Sequence, residues 1–141
     1  MNIQHPHRVI SLSQIINRNQ ARYKIHFTSE EEFVKSIYNV QTFKNKDVRK
    51  HMDAIEYYLI NIDGPIYISI DMDVFDPAIA SSVGNPTPSG LFVSEIETIL
   101  ETLCRKNVVG LDVVETASDK LGDNTAVVAA KIIYDFLTLI D

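Results

Sequence analysis

The chain has a single cysteine, Cys104, among its 141 residues. One thiol cannot form a disulfide within the chain, and it excludes a zinc site built from several cysteines. Apolar residues never continue for the roughly 20 positions that a membrane-spanning helix needs. The longest apolar stretch, near the C-terminus, is interrupted by Lys131 and Asp135. The N-terminus has no apolar leader, so we expect a cytoplasmic protein.

Basic residues are scarce relative to acidic ones, with 13 Lys and Arg against 19 Asp and Glu and a net charge of -6. Nucleic-acid phosphates bind basic surfaces, so this balance argues against a nucleic-acid partner. It is compatible with a cationic ligand or with metal ions, although an acidic surface also simply keeps a protein soluble. Hydrophobic residues make up 45%, which indicates a globular protein, and the length predicts one domain over residues 1–141.

Strand and helix patterns alternate along the chain. Strands are predicted for residues 8–12, 22–27, 66–71 and 108–115, and the last two are apolar enough to be buried strands. Helices are predicted after Thr28 or Ser29, over residues 47–60, behind a Ser94–Glu97 capping box, and over residues 125–140. This alternation predicts an α/β domain of three layers, α/β/α, around a mainly parallel sheet.

Helix periodicity also identifies the buried faces. In the second helix the spacing predicts burial of Val48, Met52, Ile55 and Leu59, and in the third that of Ile96, Ile99, Leu100 and Leu103. The last helix is apolar on more than one face, which indicates either deep burial or an interface.

Ligands bind beyond the carboxyl ends of strands in such sheets, so the polar residues there are the candidates. Asp71 and Asp73 end the third predicted strand, and an extended chain would point both carboxylates to one side, ~6–7 Å apart. Neighbouring carboxylates repel each other, so one must be protonated or a cation must lie between them. Oxygen ligands suit Mg²⁺ or Mn²⁺. The alternative is a solvated strand end without a ligand.

Two further acids belong to the last predicted strand. Asp112 lies inside an apolar segment and needs a hydrogen-bonding partner if it is buried. Glu115 lies at the carboxyl edge, where it could bind a cationic group. Taken alone, either residue could be a structural acid.

Residues 69–90, SIDMDVFDPAIASSVGNPTPSG, resemble the signature of the ureohydrolase family, which includes agmatinases and arginases. The matching positions are Ser69, Asp71, Asp73, Pro77 and Gly90. Ser81 replaces the usual proline, a change in a loop. Downstream, the Asp-Val-Val-Glu segment ending at Glu115 is also similar, and the resemblance covers residues 60–137. The residues of the motif are more similar to those of agmatinases than to those of arginases.

The resemblance implies an arginase-like fold and a site for two Mn²⁺ ions, at which a guanidino group is hydrolysed and urea released. It implies that Asp71 and Asp73 are metal ligands, that Glu115 is a catalytic residue binding the substrate's guanidinium, and that Asp112 lies behind the ligands and orients them. Agmatine, converted to putrescine, is the expected substrate. Arginine, guanidinobutyrate and formiminoglutamate remain open.

Two motifs of complete family members, Gly-Gly-Asp-His and Asp-Ala-His-x-Asp, do not occur in the sequence, and its histidines lie in other contexts: His5, His7, His26 and His51. We therefore expect the C-terminal portion of a ureohydrolase, with an incomplete metal site and a homo-oligomeric or complementing partner chain. A catalytically inactive relic, serving as a binding or assembly module, is the first alternative. Another Mg²⁺-dependent α/β enzyme is the second, although the phosphate-binding glycines that it would need are not found.

Overall fold

The structure is a computed structural model that describes residues 43–140 and, nearer the N-terminus, the backbone of three strands. These are β1 (Arg8–Leu12), β2 (Gln14–Asn17) and β3 (Gln20–Tyr23). The elements that follow are α1 (Asn45–Lys50), α2 (Met52–Ile60), β4 (Ile66–Asp71), a 3₁₀ turn (Met72–Val74), α3 (Val93–Cys104), β5 (Val108–Val114) and α4 (Asn124–Leu139).

The central sheet is parallel, in the order β1-β4-β5, so β4 lies in the middle. Strands β4 and β5 are adjacent, as predicted, and α3 lies between them in the chain because parallel neighbours need a crossover. Ser69 pairs with Asp112 in this register, and Asp71 pairs with Val114. The carboxyl ends of both strands therefore meet at one edge of the sheet.

The N-terminal predictions are confirmed only in part. The strand predicted over residues 8–12 is β1, with the same bounds. The strand predicted over residues 22–27 begins earlier, as β3, which pairs with β2 in an antiparallel hairpin that the pattern did not indicate. Residues 24–27 and the helix predicted after Thr28 lie outside the described residues.

The prediction of one continuous helix over residues 47–60 is wrong, because the segment forms two helices that are separated at His51. His51 has φ -135° and ψ 39°, which is not helical, and it ends α1 and begins α2. Val48, Ile55 and Leu59 are nevertheless buried, and Met52 is partly buried against the core. The periodicity therefore identified the buried face but could not reveal the break at His51.

Alternate residues of β4 differ in burial. Ile66, Ile68 and Ile70 are completely buried, and each contributes about 1.5–3 kcal/mol through removal of its side chain from water. The opposite face is only half-buried. Strand β5 is also partly exposed, notably at Val109 and Val114. The prediction of two fully buried strands is thus wrong, since β5 is the last strand in the order of the described sheet.

Helices α3 and α4 cover the core. Of α3, the four residues predicted to be buried are buried: Ile96, Ile99, Leu100 and Leu103. The predicted Ser94–Glu97 capping box is wrong, because the N-cap of α3 is Phe92, two residues earlier, and the Glu95 carboxylate accepts the Phe92 N–H at 2.8 Å. Glu97 instead binds Lys131 of α4. None of the described helices is long and apolar enough to cross a membrane.

The long loop after β4 folds back on itself and is held by α1. Leu91 accepts a hydrogen bond from the Asp76 N–H at 3.0 Å and donates one to the Val74 carbonyl at 2.8 Å. Arg49 donates to the Gly90 carbonyl at 2.8 Å, pairs with Glu95 at 3.0 Å and lies over an aromatic ring. This close return brings two backbone segments into contact at Gly90.

Gly90→Ala should destabilise the protein by about 3 kcal/mol or more, because overpacking against backbone cannot relax by side-chain movement. A Cβ at this position would lie 2.2 Å from backbone atoms of Phe75 and Asp76. Gly122→Ala is the control, since it has open space and only a strained φ of 76°, which costs about 1–2 kcal/mol. Urea denaturation measures both free energies of unfolding, and equal losses would contradict the packing argument.

Candidate active site

The first two candidate carboxylates lie where β4 ends. The chain leaves the strand at Asp71 and enters the 3₁₀ turn, and the Asp71 carboxylate accepts the Asp73 N–H at 2.9 Å. The expected extended geometry is therefore wrong. A tight turn, capped by one aspartate, brings the two acidic residues together.

Asp73 is a nearly buried carboxylate, with 2% of its surface exposed. Among the described residues, its carboxylate accepts one hydrogen bond, from the Asn85 N–H at 3.3 Å. A buried charge normally requires several close partners, because burial removes its hydration. Asp73 is therefore an under-supported acid that a cation would stabilise.

Asp71 lies in the same acidic environment. Its pKa is raised from 3.8 to about 6, mainly by burial and also by the negative charges of Asp73 and Glu115, against the lowering effect of the Asp73 N–H. The influence of Glu115 places that carboxylate within electrostatic reach of Asp71.

Glu115 directly follows β5 and has a φ of 62°, which a residue with a Cβ rarely adopts. Its side chain is exposed. A Cβ at Gly84 would lie 3.4 Å from Glu115 Oε2, so the glutamate extends toward the loop that follows β4. The structure thus brings Asp71, Asp73 and Glu115 to one edge of the sheet, and their roles stay predictions.

Asp112 does have the partners that its strand position requires. Its carboxylate accepts hydrogen bonds from the Tyr67 hydroxyl at 2.9 Å and the Ser69 hydroxyl at 2.7 Å. The Tyr67 ring lies over Gly110, where a Cβ would be 2.8 Å away, and the bond to Asp112 raises the pKa of Tyr67. Asp112 is therefore bonded to β4 two residues before Asp71, and its role in orienting the ligands stays a prediction.

Sequence reasoning missed the residues that complete this edge. Asn85, which donates to Asp73, and Gly84, which makes room for Glu115, have no local signal, because their importance arises from contacts distant in the chain. Asp76 stabilises the turn that follows, because its carboxylate accepts the Ala78 and Ser89 N–H groups, at 3.0 and 2.9 Å.

The donor atoms suit a hard divalent cation, because Asp71 and Asp73 supply only oxygen. Over the described ranges, no group of three or more His, Cys, Asp or Glu residues is arranged to hold a metal ion. His51 lies between α1 and α2, and the other three histidines lie outside the described residues. The two aspartates thus fit part of a manganese coordination shell.

The fold and site together define an α/β protein with a cluster of acidic residues at the carboxyl ends of parallel strands. The model of the arginase family matches residues 8–138, and the chain belongs to this family. The chain is 39% identical over 85 residues to the agmatinase of Pyrococcus horikoshii. It is 44% identical over 71 residues to the N(1)-aminopropylagmatine ureohydrolase of Thermococcus kodakarensis.

Structural similarity extends over more of the chain. The agmatine ureohydrolase of Thermoplasma volcanium matches 94% of it, with a TM-score of 0.72 and 28% identity. The predicted fold class, a partial arginase-like α/β fold, is confirmed. The match spans 42% of that solved chain, 30% of the Pyrococcus protein and 25% of the Thermococcus protein. The chain therefore corresponds to less than half of each.

Asp71→Asn should stabilise the metal-free protein at pH 7 but not at pH 4. A pKa raised to about 6 in the folded state means that folding favours the protonated acid, so stability falls as pH rises from about 4 through 6. The asparagine removes that loss. Asp63→Asn, in an exposed turn, makes the same charge change as a control. Thermal unfolding at both pH values measures the effect, and a variant no more stable than the original at pH 7 would contradict it.

Proposed function

We propose that this chain forms part of a manganese-dependent ureohydrolase that converts agmatine to putrescine and urea in the cytoplasm. The observation that carries the proposal is the convergence of three carboxylates from the ends of two neighbouring strands. Membership of the arginase family supports the reaction class. The printed names of the Pyrococcus and Thermococcus relatives, an agmatinase and an aminopropylagmatine ureohydrolase, support an agmatine-like substrate.

In this proposal Asp71 and Asp73 are metal ligands and form the metal side of the site. Asp73 is buried with a single long hydrogen bond, so its charge lacks a partner of its own strength. Asp71 is ionised at neutral pH only at a cost in free energy, as its pKa of about 6 indicates. Bound Mn²⁺ would supply the positive charge that makes a water nucleophilic at neutral pH. It would also keep Asp71 ionised, because a cation opposes protonation.

Glu115 holds the substrate side. A guanidinium is a planar cation that pairs with a carboxylate through two parallel hydrogen bonds. Glu115 is exposed and extends over Gly84, so its oxygens are open to such a ligand. The ion pair alone contributes only ~0–1 kcal/mol at an exposed site. The guanidinium is therefore oriented by Glu115, and most of the affinity must come from other contacts.

The chain alone should release urea very weakly or not at all from agmatine with excess Mn²⁺. Two aspartates give too few ligands for tight binding, and metal affinity depends on the complete set. Co-expression with the N-terminal portion of a full-length relative, which supplies the motifs missing here, should restore urea release. Colorimetric urea assay measures both.

Asp71→Asn and Asp73→Asn should abolish the restored activity, whereas Asp63→Asn should not change it. Robust turnover by the chain alone, lost in both site variants, would contradict the incomplete site. Absence of turnover in every combination that forms a stable complex would favour the inactive relic instead.

Association with a partner chain belongs to the same proposal. Helix α4 buries one face, but its other side exposes apolar residues, including Val127 at 55%, Tyr134 at 68% and Leu137 at 53%. Their spacing of seven and three residues puts them along one side of the helix. Large exposed apolar surfaces are a liability for a monomer in water. We expect this side of α4 to be covered by a second copy or by a complementing chain.

The double variant Tyr134→Glu and Leu137→Glu should convert the assembled protein to a monomer, because two buried charges are costly at an interface. Sedimentation velocity at micromolar concentration measures the change. Leu121→Glu is the control, since Leu121 is fully exposed outside α4, and it should leave the assembly intact. A clean monomer of the unmodified chain would refute the prediction.

A further inference from the structure

Ser82 joins the loop after β4 to the loop after β5. Its hydroxyl donates to Asp123 Oδ2 at 2.8 Å, and its N–H donates to Thr125 Oγ1 at 2.9 Å. Its carbonyl accepts the Ala117 N–H at 2.9 Å. All three polar groups of Ser82 are therefore hydrogen-bonded either to the loop after β5, which carries Glu115, or to the start of α4, where that loop ends.

The residues that Ser82 contacts at the start of α4 are themselves held in place. Thr125 is completely buried at the start of α4, and Asp123 caps that helix by accepting the Thr125 N–H at 2.9 Å. Asn124 adds a second tie, donating to the Ile79 carbonyl at 2.6 Å. The bond from the Ser82 hydroxyl is the main reason that the pKa of Asp123 is lowered. Ser82 is thus bonded to a fixed helix end rather than to a mobile loop tip.

The position of this tie matters because of what lies on either side of it. Two residues after Ser82 is Gly84, against which Glu115 lies, and the next residue, Asn85, donates to Asp73. Ala117 follows Glu115 by two residues. The hydrogen bonds at Ser82 therefore connect the loop that donates a hydrogen bond to Asp73 with the loop that carries Glu115.

Glu115 needs such support. Its φ of 62° is unfavourable for a residue with a Cβ, and conformations of this kind persist only where neighbouring contacts enforce them. The described residues contribute no hydrogen bond to its carboxylate. Its backbone is restrained on one side by the pairing of Val114 with Asp71 in the sheet, and on the other side by the bond from the Ala117 N–H to the Ser82 carbonyl.

We propose that Ser82 is a positioning residue that fixes the Glu115 carboxylate beside Gly84 and so sets its separation from Asp71 and Asp73. The inference rests on the proposed function, in which Glu115 binds a guanidinium and the aspartates bind metal. Ser82 acts through Ala117 and Asp123 and does not itself contact the substrate. A merely structural serine would support the fold without changing where Glu115 lies.

Nuclear magnetic resonance on the 141-residue chain tests the geometry directly. In Ser82→Ala, the nuclear Overhauser contact between Gly84 and the Glu115 side chain should be lost. Exchange of the Ala117 amide should rise about five-fold, as expected for a local opening made easier by the loss of one hydrogen bond of typical strength. The pKa of the Asp123 carboxyl should rise toward its ordinary value, while core amides on β4 keep their protection.

Matched variants distinguish the effect of losing the Ser82 hydroxyl from a general disturbance of the loop. Ser82→Thr keeps a hydroxyl and should restore the contact and the low pKa of Asp123. Ser81→Ala, at the exposed neighbouring serine, should change none of these readings. Asp123→Asn provides a second break in the tie, should Ser82→Ala fail to fold, and should weaken the same contact. An unchanged Gly84–Glu115 contact in folded Ser82→Ala or Asp123→Asn would overturn the inference.

Agmatine titration separates failure of this inference from failure of the proposed function. Glu115 resonances should respond to agmatine in the unmodified chain, and Ser82→Ala should weaken the apparent affinity about five-fold, the loss that one hydrogen bond of typical strength predicts. A response equal in both proteins would overturn the positioning role alone. No response in the unmodified chain would contradict the role of Glu115, while the Gly84–Glu115 contact would still decide whether Ser82 positions it.

Discussion

The parallel pairing of β4 with β5 is the constraint on which the rest of the site depends. In this register Ser69 lies opposite Asp112, and the two are bonded at 2.7 Å across the strands. A slip by one residue would turn Asp112 away from Ser69 and move every side chain of β5 to the other face. The pairing therefore determines that Asp71 and Glu115 leave the sheet at the same edge, before any loop contact is considered.

Bringing these acids together costs electrostatic free energy, and each of the three carboxylates is in an unfavourable environment of a different kind. Asp71 accepts the Asp73 N–H, which lowers its pKa, but burial and the neighbouring acids still raise that pKa to about 6. Asp73 is buried with little hydrogen bonding, and Glu115 remains in water with a strained backbone. None of these is the arrangement of lowest energy for an isolated acid. Strain and unsatisfied charge of this kind collect where a ligand is to be bound, since the ligand relieves them.

Local patterns predicted the parts of this structure that depend on local forces. The buried face of α3 and the bounds of β1 follow from side-chain spacing, and the adjacency of β4 and β5 follows from the rules of parallel sheets. The break at His51, the 3₁₀ turn at Asp73 and the ties at Ser82 did not follow. Each depends on which distant segment packs against it, so spacing within one segment cannot reveal it. The candidate acids were found from strand ends and from the family signature, whereas the groups that position them were not.

The two sides of the site differ in how much of their organisation the described chain contains. The Glu115 side is built from β5, the loop after β4 and the start of α4, all within residues 43–140, and its hydrogen bonds close within that range. The Asp71 and Asp73 side has two oxygen donors, and the described residues add no third acid, histidine or cysteine to them. In the proposed function, orientation of a guanidinium would therefore depend on this part of the fold, whereas firm binding of metal would require additional ligands. The proposed reaction needs both, so its rate would be set by the groups that complete the metal ligands, and the position of its substrate by the residues around Glu115.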